Sequence, residues 1–400
     1  MKKYYLIFIV CGFLFASVLL AGTVAPKKIR HVEFLSLAYN QMKVFWEPKD
    51  EDIDSYKIRL EDANRNLIGT YQSTDKFIVL SELNPETKYF VKIKALRNKQ
   101  KSKWSVAKPF TTRAVPPVET TAIFAGDVMM SRYVGRITAE NNDWDLPFHN
   151  IAEEFAQNNL AFVNMEAPFK ETGPYYVGDD SMTFKVDPQM IAGLQLADID
   201  IVSLANNHIL NAGQAGLDYT RDYLADNEVA YCYDSYDIRE VNGLKFGFLC
   251  YSYDFNLNTD DLVEDINEIK DQADVLVVSM HNGAEYTETI SSSQSNFAHT
   301  AIENGADLVI GHHPHVVQGM EEYKGKYIFY SLGNLVFDQS WSWPTQLGAA
   351  VKITWEDDIM KKIEFKPIKI DGDFQPRFMD FEEGKEVLGR LQVDNYEIIK

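Results

Sequence analysis

Three of the chain's eight histidines fall within Gly311-His312-His313-Pro314-His315, directly after the largely apolar stretch 306–310. A neutral imidazole offers a nitrogen lone pair near pH 7, which makes histidine the commonest metal ligand. His313 and His315 are separated by one residue, so a suitable turn brings both rings to one site. A solvated, histidine-rich loop has the same composition, and the rest of the chain decides between the two. Four more apolar runs end on polar donors. Residues 121–125 lead to Gly126-Asp127, 160–163 to Asn164-Met165-Glu166, 199–204 to Ala205-Asn206-Asn207-His208, and 275–279 to Met280-His281-Asn282-Gly283. One Asp after a strand is an ordinary turn or helix cap. Five strand ends bearing Asp, Glu, Asn or His are hard to explain by capping, and they point to donors that converge where α/β sheets gather ligands.

Such a donor set suits two divalent ions. Mixed carboxylate, amide and imidazole ligation favours Mn, Fe or Zn over Ca without choosing among them. The chemistry is metal-assisted hydrolysis, in which water becomes a nucleophile and the attacked centre is clamped as charge develops. His208 is a candidate acid or orienting group near the leaving oxygen. Arg132 is a candidate fork for a substrate carboxylate or phosphate, with a surface arginine at a helix start as the alternative. Glu285 and Tyr286 are candidates to orient neighbouring side chains or the substrate. Trp341 and Trp343 either line a pocket or pack in the interior.

The elements that must position these residues alternate from residue 120 onward. Apolar strands lead into the motif loops, and helices are expected over 147–157, 187–197, 213–227, 259–272 and 291–304. Asn242-Gly243 predicts a hairpin between 238–241 and 244–252. Residues 316–322 and 327–331 flank a Lys-Gly-Lys turn, and 348–355 pairs with 362–370. Sheets flanked by helices give a layered α/β sandwich.

Gly126-Asp127-Val128-Met129-Met130-Ser131-Arg132, Asn164-Met165-Glu166-Ala167-Pro168, Asn206-Asn207-His208 and His281-Asn282-Gly283-Ala284-Glu285-Tyr286 stand in order, followed by Gly311-His312-His313-Pro314-His315 and Ser331-Leu332-Gly333-Asn334. Over roughly residues 120–340 this resembles the bacterial capsule-synthesis family of CapA and PgsA proteins, associated with poly-γ-glutamate capsules and similar to calcineurin-like metallophosphoesterases. The resemblance implies a four-layer αββα sandwich with a two-metal centre. It implies Asp127, Glu166, Asn207, His281, His313 and His315 as metal ligands, Glu166 in the bridging place, with His312 as the alternative to His313. Asn164, Glu285, Tyr286, His312 and Asn334 fall to substrate or supporting roles. Three departures stand out. Val128-Met129 follow Asp127 where the phosphoesterases carry a histidine, Glu166 replaces an Asp, and His281-Asn282-Gly283 replaces His-Trp-Gly.

Residues 26–114 alternate apolar and polar in short runs, as a β-sandwich does. Trp46 with Pro48, and Leu83-Asn84-Pro85 ahead of Tyr89, resemble the fibronectin type III domain, with Tyr89 as the corner tyrosine tied to an upstream backbone group. A basic run from Lys92 to Lys108 is either a solvated face or a surface for anionic wall polymer or lipid headgroups. Residues 115–119 form a proline-stiffened linker, 120–391 the main domain and 392–400 a tail. Lys2 and Lys3 precede an apolar run to Gly22, so residues 1–25 read as an uncleaved membrane anchor, with a cleaved export signal as the alternative. Either places the remainder outside the cytoplasm. Cys232 and Cys250 read as reduced core residues, with a disulfide left open.

Charge is divided unevenly. Residues 26–115 carry 18 Lys and Arg against 11 Asp and Glu, a balance of +7, whereas residues 116–400 carry 19 against 48, a balance of −29. An acidic main domain repels nucleic acid. The expected function is a metal-dependent hydrolase or transferase acting on a cell-surface polymer, through an amide or a phosphoester. The alternative is a non-catalytic scaffold among the membrane-bound partners of a poly-γ-glutamate synthesis and export complex, and a third reading is a plain adhesin.

Overall fold

The computed structural model describes residues 24–175, 182–254 and 257–399. The expected N-terminal anchor or signal lies almost wholly outside them; among the described residues no helix is long and apolar enough to cross a membrane. The chain divides into two compact units, Met1–Pro116 and Pro117–Lys400.

The first unit is built of β1 (His31–Ala38), β2 (Gln41–Glu47), β3 (Ser55–Glu61), β4 (Leu67–Ser73), β5 (Phe77–Leu80), β6 (Lys88–Arg97), β7 (Gln100–Lys101) and β8 (Lys108–Thr111). They form a three-stranded sheet, β1-β2-β5, and a five-stranded sheet, β4-β3-β6-β7 with β8 on β6. Alternation is strict in β6, where Tyr89, Val91, Ile93 and Ala95 are buried and the residues between them are not. Period-two patterning of this kind forces one face inward. Trp46, Ile58, Val91 and Ile93 fill the space between the sheets. The hydroxyl of Tyr89 accepts the Asn84 N–H at 2.9 Å, the tie expected of a corner tyrosine.

The second unit opens with β9 (Glu119–Val128), β10 (Leu160–Met165), β11 (Ile201–Ser203) and β12 (Ala230–Cys232). These pair in parallel. β13 (Asp237–Val241), β14 (Leu244–Ser252), β15 (Val275–His281), β16 (Leu308–His312), β17 (Met320–Tyr323) and β18 (Lys326–Phe329) make a second sheet in the order β13-β14-β15-β16-β18-β17. β19 (Asn334–Val336), β20 (Leu347–Glu356), β21 (Ile359–Ile370), β22 (Pro376–Phe378) and β23 (Glu397–Ile399) return to the first. The hairpin at Asn242-Gly243 and the pairing of β20 with β21 form as expected. Residues 397–399, placed by the sequence in a tail, pair with β21.

Three apolar clusters define the layers. Phe124 and Phe162 meet Phe246, Phe248 and Phe329 between the two sheets. Helices α1 (Arg132–Asn141), α2 (Ala152–Ala156), α3 (Ile191–Leu196) and α4 (Gly213–Asp226) cover the outer face of the first sheet through Val134, Phe155, Leu194 and Leu217. Helices α5 (Thr259–Ile269) and α6 (Ser292–Asn304) cover the second through Leu262, Ile266, Phe297 and Ala301. The unit is an αββα sandwich. Helix α1 begins at Arg132, the helix start offered as the alternative for that residue, whereas α7 (Phe381–Leu391) lies where the sequence pattern predicts none and closes the inter-sheet core with Val387, Leu388 and Leu391. Cys232 of β12 and Cys250 of β14 form a disulfide with Cα atoms 5.6 Å apart. This corrects the reading of both as reduced: the two sheets face each other and bring the sulfurs together.

Asp200 precedes β11, and its carboxylate accepts the Ala161 N–H at 2.7 Å. Burial, only partly opposed by that bond, pushes its carboxyl up to about 6. A raised carboxyl costs nothing below about pH 4, where folded and unfolded chains are both protonated, and stability is lost as pH rises through about 6. Asp200→Asn keeps an acceptor for Ala161. It is expected to raise the melting temperature at pH 7 and leave it unchanged at pH 4; equal shifts at both pH values would refute the assignment.

Candidate metal centre

The carboxyl ends of β9, β10, β11, β15 and β16 open on one region. Asp127, Asn164 and Glu166 are fully buried, and His208, His281, His313 and His315 nearly so. The backbone holds the loops in place: Asp127 N–H donates to Gly333 O at 3.0 Å and Glu166 N–H to Val128 O at 2.8 Å. Four non-glycine residues here adopt left-handed backbone angles, with φ of 47° at Arg132, 61° at Tyr286, 97° at His313 and 56° at His315. Each conformation costs about 1–3 kcal/mol, so the surrounding structure must impose it. The turn at His313 swings its ring away from the path of β16 toward His281.

Two corners result. In one, His315 Nδ1 is 3.2 Å from Asp127 Oδ2 and His315 Nε2 is 3.5 Å from Glu166 Oε1. In the other, His281 Nε2 is 2.9 Å from Asn207 Oδ1 and 3.1 Å from His313 Nδ1. Ligand atoms of Asp127, Glu166 and His281 lie within 4.8 Å of one another, as do those of Glu285, His313 and His315. Glu285, which the sequence assigns an orienting role, therefore joins the donor atoms. All six of the expected ligands are brought together.

Amides fix the donors. Asn164 donates to Asp127 Oδ1 at 2.8 Å and lies 3.3 Å from His281 Nδ1. Asn206, which the sequence places in a motif without a role, donates to Asn164 Oδ1 at 3.2 Å and to Met165 O at 2.9 Å. Its own oxygen accepts the His208 N–H at 3.2 Å. Asn334 Oδ1 is 3.0 Å from His315 Nδ1, while its amide nitrogen donates to Gln339 Oε1 and Thr345 O. With the His315 Nδ1 proton held by Asn334 and Asp127, Nε2 is the atom left for a ligand or a charge.

The buried acids leave a place for a cation. Glu166 has both carboxylate oxygens buried without a hydrogen-bond partner, and burial pushes its carboxyl well above the usual range. Asp127 is opposed by burial too, yet the imidazoles of His312 and His315 beside it hold it well below. His315 resists burial because Glu166 and Asp127 face it, and it is pushed up to about 9. Burial lowers His313 and His208 to about 4, leaving neutral rings. Asp127 and Glu166 thus share the His315 imidazolium while His208 and His313 stay neutral, and an ionised Glu166 is costly unless further positive charge meets it. The donors present fit a divalent transition metal.

Arg132 lines the cleft with its fork already engaged. Its guanidinium is clasped by both oxygens of Asp338, with Nε to Oδ2 at 3.1 Å, and lies 4.8 Å over the Phe184 ring. The fork is engaged by the protein's own carboxylate, which the sequence reading missed although Asp338 closely follows β19. His312 is fully buried, 3.2 Å from Asp127 Oδ1 without the alignment of a hydrogen bond; it stands behind the centre, not in it. His208 stacks on Phe184 at 3.9 Å, shares a bond with Asn211 Oδ1 at 3.1 Å, and has Nε2 3.8 Å from Glu166. A cavity of about 470 Å³ opens onto these groups, lined by Arg132, His208, Glu285, Tyr286, His315 and Trp341 among others. The Tyr286 and Trp341 rings meet edge to face at 4.7 Å and both are exposed, so Trp341 lines the cleft. Trp343 instead donates to Glu386 at 2.8 Å.

Residues 121–339 match the family model described as bacterial capsule synthesis protein PGA_cap, and residues 25–111 match that of the fibronectin type III domain. The PGA biosynthesis protein CapA of Bacillus subtilis (strain 168) is 29% identical over 273 residues, covering 62% of this chain and 71% of that protein. The capsule biosynthesis protein CapA of Bacillus anthracis is 29% identical over 293 residues, covering 65% and 71%. A probable polyglutamine synthesis accessory protein of Mycobacterium tuberculosis (strain CDC 1551 / Oshkosh), MT0602, is 24% identical over 231 residues, covering 49% and 60%.

Proposed function

Because this chain belongs to the bacterial capsule synthesis protein PGA_cap family, we propose that its second unit is a metal-dependent hydrolase acting on a polymer of the cell envelope. One observation carries the reading: Glu166 is buried with neither oxygen bonded, at the junction of two donor corners and beside an open cleft. Asp127, Glu166 and His315 would hold one divalent ion and Asn207, His281 and His313 a second, with Glu285 within reach of the histidines. Bound there, such ions would lower the pKa of water and neutralise charge developing on the attacked centre.

The protein's own groups do the rest. Asn334 presents Nε2 of His315, and Asn164 with Asn206 fixes Asp127 and His281. His208, kept neutral by burial, offers Nε2 toward the cleft, where it accepts or orients a proton. The Arg132–Asp338 pair is a rigid wall, and Tyr286 with Trp341 gives the cleft an aromatic lip. The printed names of the relatives, capsule and PGA biosynthesis, support a capsular polymer as the substrate class. The Cys232–Cys250 disulfide supports an oxidising, extracytoplasmic setting.

The test is bound metal. The purified protein is expected to hold near-stoichiometric transition metal and to lose it in a His313→Ala/His315→Ala variant, with a lowered melting temperature after chelation of the native protein. A metal-free protein whose stability ignores added Mn, Fe or Zn would sink the proposal. If metal binds but neither poly-γ-glutamate nor an aryl phosphate turns over, the non-catalytic scaffold is favoured instead.

A further inference from the structure

On the outward face of β3 and β6, four cations are set against one another. Lys57 stands directly across from Lys94, and Arg59 from Lys92. Lys101 of β7 pairs with Leu96, two residues beyond Lys94 on the same face. Like charges directly opposite in an antiparallel pair destabilise a sheet. The crowding is physical: burial first, then the neighbouring Lys101, Lys57 and Arg59, lower the Lys94 ammonium. Glu61 answers part of this charge, 2.8 Å from Lys92 and 3.8 Å from Arg59. Lys57, Lys94 and Lys101 take part in no ion pair among the described residues.

The aromatic rings on this face are covered rather than presented. Lys94 Nζ lies 4.5 Å over Trp104, and the Arg65 guanidinium 3.5 Å over Phe90. The stems of these side chains are thereby packed, and their charges stand in fixed rows. Facing strands are about 4.8 Å apart and alternate residues about 7 Å apart along a strand, a two-dimensional lattice of positive charge. A membrane surface would favour apolar side chains projecting between the cations, and here both rings lie under them.

We propose that the outer face of β3 and β6 binds a linear polyanion, a chain bearing a carboxylate or phosphate at regular short intervals. The +7 balance of residues 26–115, against the −29 of residues 116–400, means that the first unit attracts such a polymer where the second repels it. The like-charge pairing is then a stability cost that the ligand relieves. The proposal does not rest on the metal centre, and chelated protein is expected to bind equally well.

The test is fluorescence anisotropy of labelled poly-L-glutamate and of polyphosphate with the purified protein across salt concentrations. Binding should weaken by roughly tenfold or more between 50 and 200 mM salt, as counterion release requires. Lys57→Glu/Lys94→Glu should bind about tenfold more weakly than Lys361→Glu/Lys385→Glu, which makes the same change of net charge in the second unit. Lys57→Glu alone should weaken binding while raising the melting temperature, because it places a carboxylate opposite Lys94. A merely misfolded variant would lose both. Equal losses in the two double variants, or no binding to either polyanion at low salt, would overturn the proposal. So would binding to phosphatidylglycerol vesicles without binding to the polymers, which would assign the face to a membrane.

Discussion

Glu166→Gln is expected to empty the metal centre and, at the same time, to stabilise the chelated protein. The two effects have opposite signs because the carboxylate is there for a cation. With both oxygens buried and unbonded, Glu166 lies 3.5 Å from His315 and 3.8 Å from His208. Burial outweighs the attraction of His315, since the carboxyl is held well above its ordinary range. Replacing an ionisable carboxyl buried without hydrogen bonds is worth about 1–3 kcal/mol, or several degrees in melting temperature for a domain of this size. In the metal-loaded comparison the order reverses, because the native protein gains the binding energy of its ions and the variant does not. Metal content by elemental analysis, with melts before and after chelation, checks both halves. A variant that keeps its metal, or melts lower than the native protein when both are chelated, would contradict the role given to Glu166.

The strand-end donors were legible because each follows an apolar run in a parallel sheet, where the connectivity leaves little choice about which end collects ligands. Asp127, Asn164, Glu166, Asn207, His281, His313 and His315 therefore fall together. Choosing between His312 and His313 was another matter. Residue 312 is the last of β16, paired with His281, and points into the core; residue 313 turns back because its φ is 97°. Backbone angles of that kind are imposed by tertiary contacts and leave no mark on residue type. The same is true of Arg132. The sequence shows a cation beside Asp127 but not that Asp338, 206 positions away, would clasp it. Asn206 and Asn207 are chemically alike, and which one binds the partner amide and which faces His281 is decided by the turn after β11. Glu285 needed the Pro314 carbonyl, which accepts the Tyr286 N–H at 2.8 Å, to draw its loop against the histidines. Helix α1 showed in the sequence only as a helix start at Arg132, because it begins on a left-handed residue and carries Gly135 on its buried side. The disulfide escaped because cysteines 18 positions apart show nothing of the sheets that face them together.

Gly126→Ala should be among the most damaging single methyl additions at the described glycines. A Cβ at Gly126 would stand 1.9 Å from Gly333 O and 2.8 Å from its carbonyl carbon, and these are backbone atoms that cannot rotate aside. Gly333 O accepts the Asp127 N–H at 3.0 Å, and the next residue, Asn334, pairs with Asp127 in register and holds His315. The close approach thus joins the first and last corners of the centre through main chain. Relieving the overlap must move the 333–334 loop, with it Asn334, and so the orientation of His315. Overpacking in well-filled interiors costs about 1–3 kcal/mol where side chains can yield; here none can, and a loss on the order of 4 kcal/mol or more, with failure to retain metal, is the expected result. Gly389→Ala is the control. It lies in α7 with nothing within 4 Å of the added methyl, and alanine is the better helix former by about 1 kcal/mol. Thermal melts should therefore move in opposite directions for the two substitutions. Residual folded Gly126→Ala protein should bind metal more weakly even where its circular dichroism is native, because the damage is to the register of β19 against β9 and not to the sandwich as a whole. Native metal affinity in that variant would mean that the 333–334 loop does not set the position of His315.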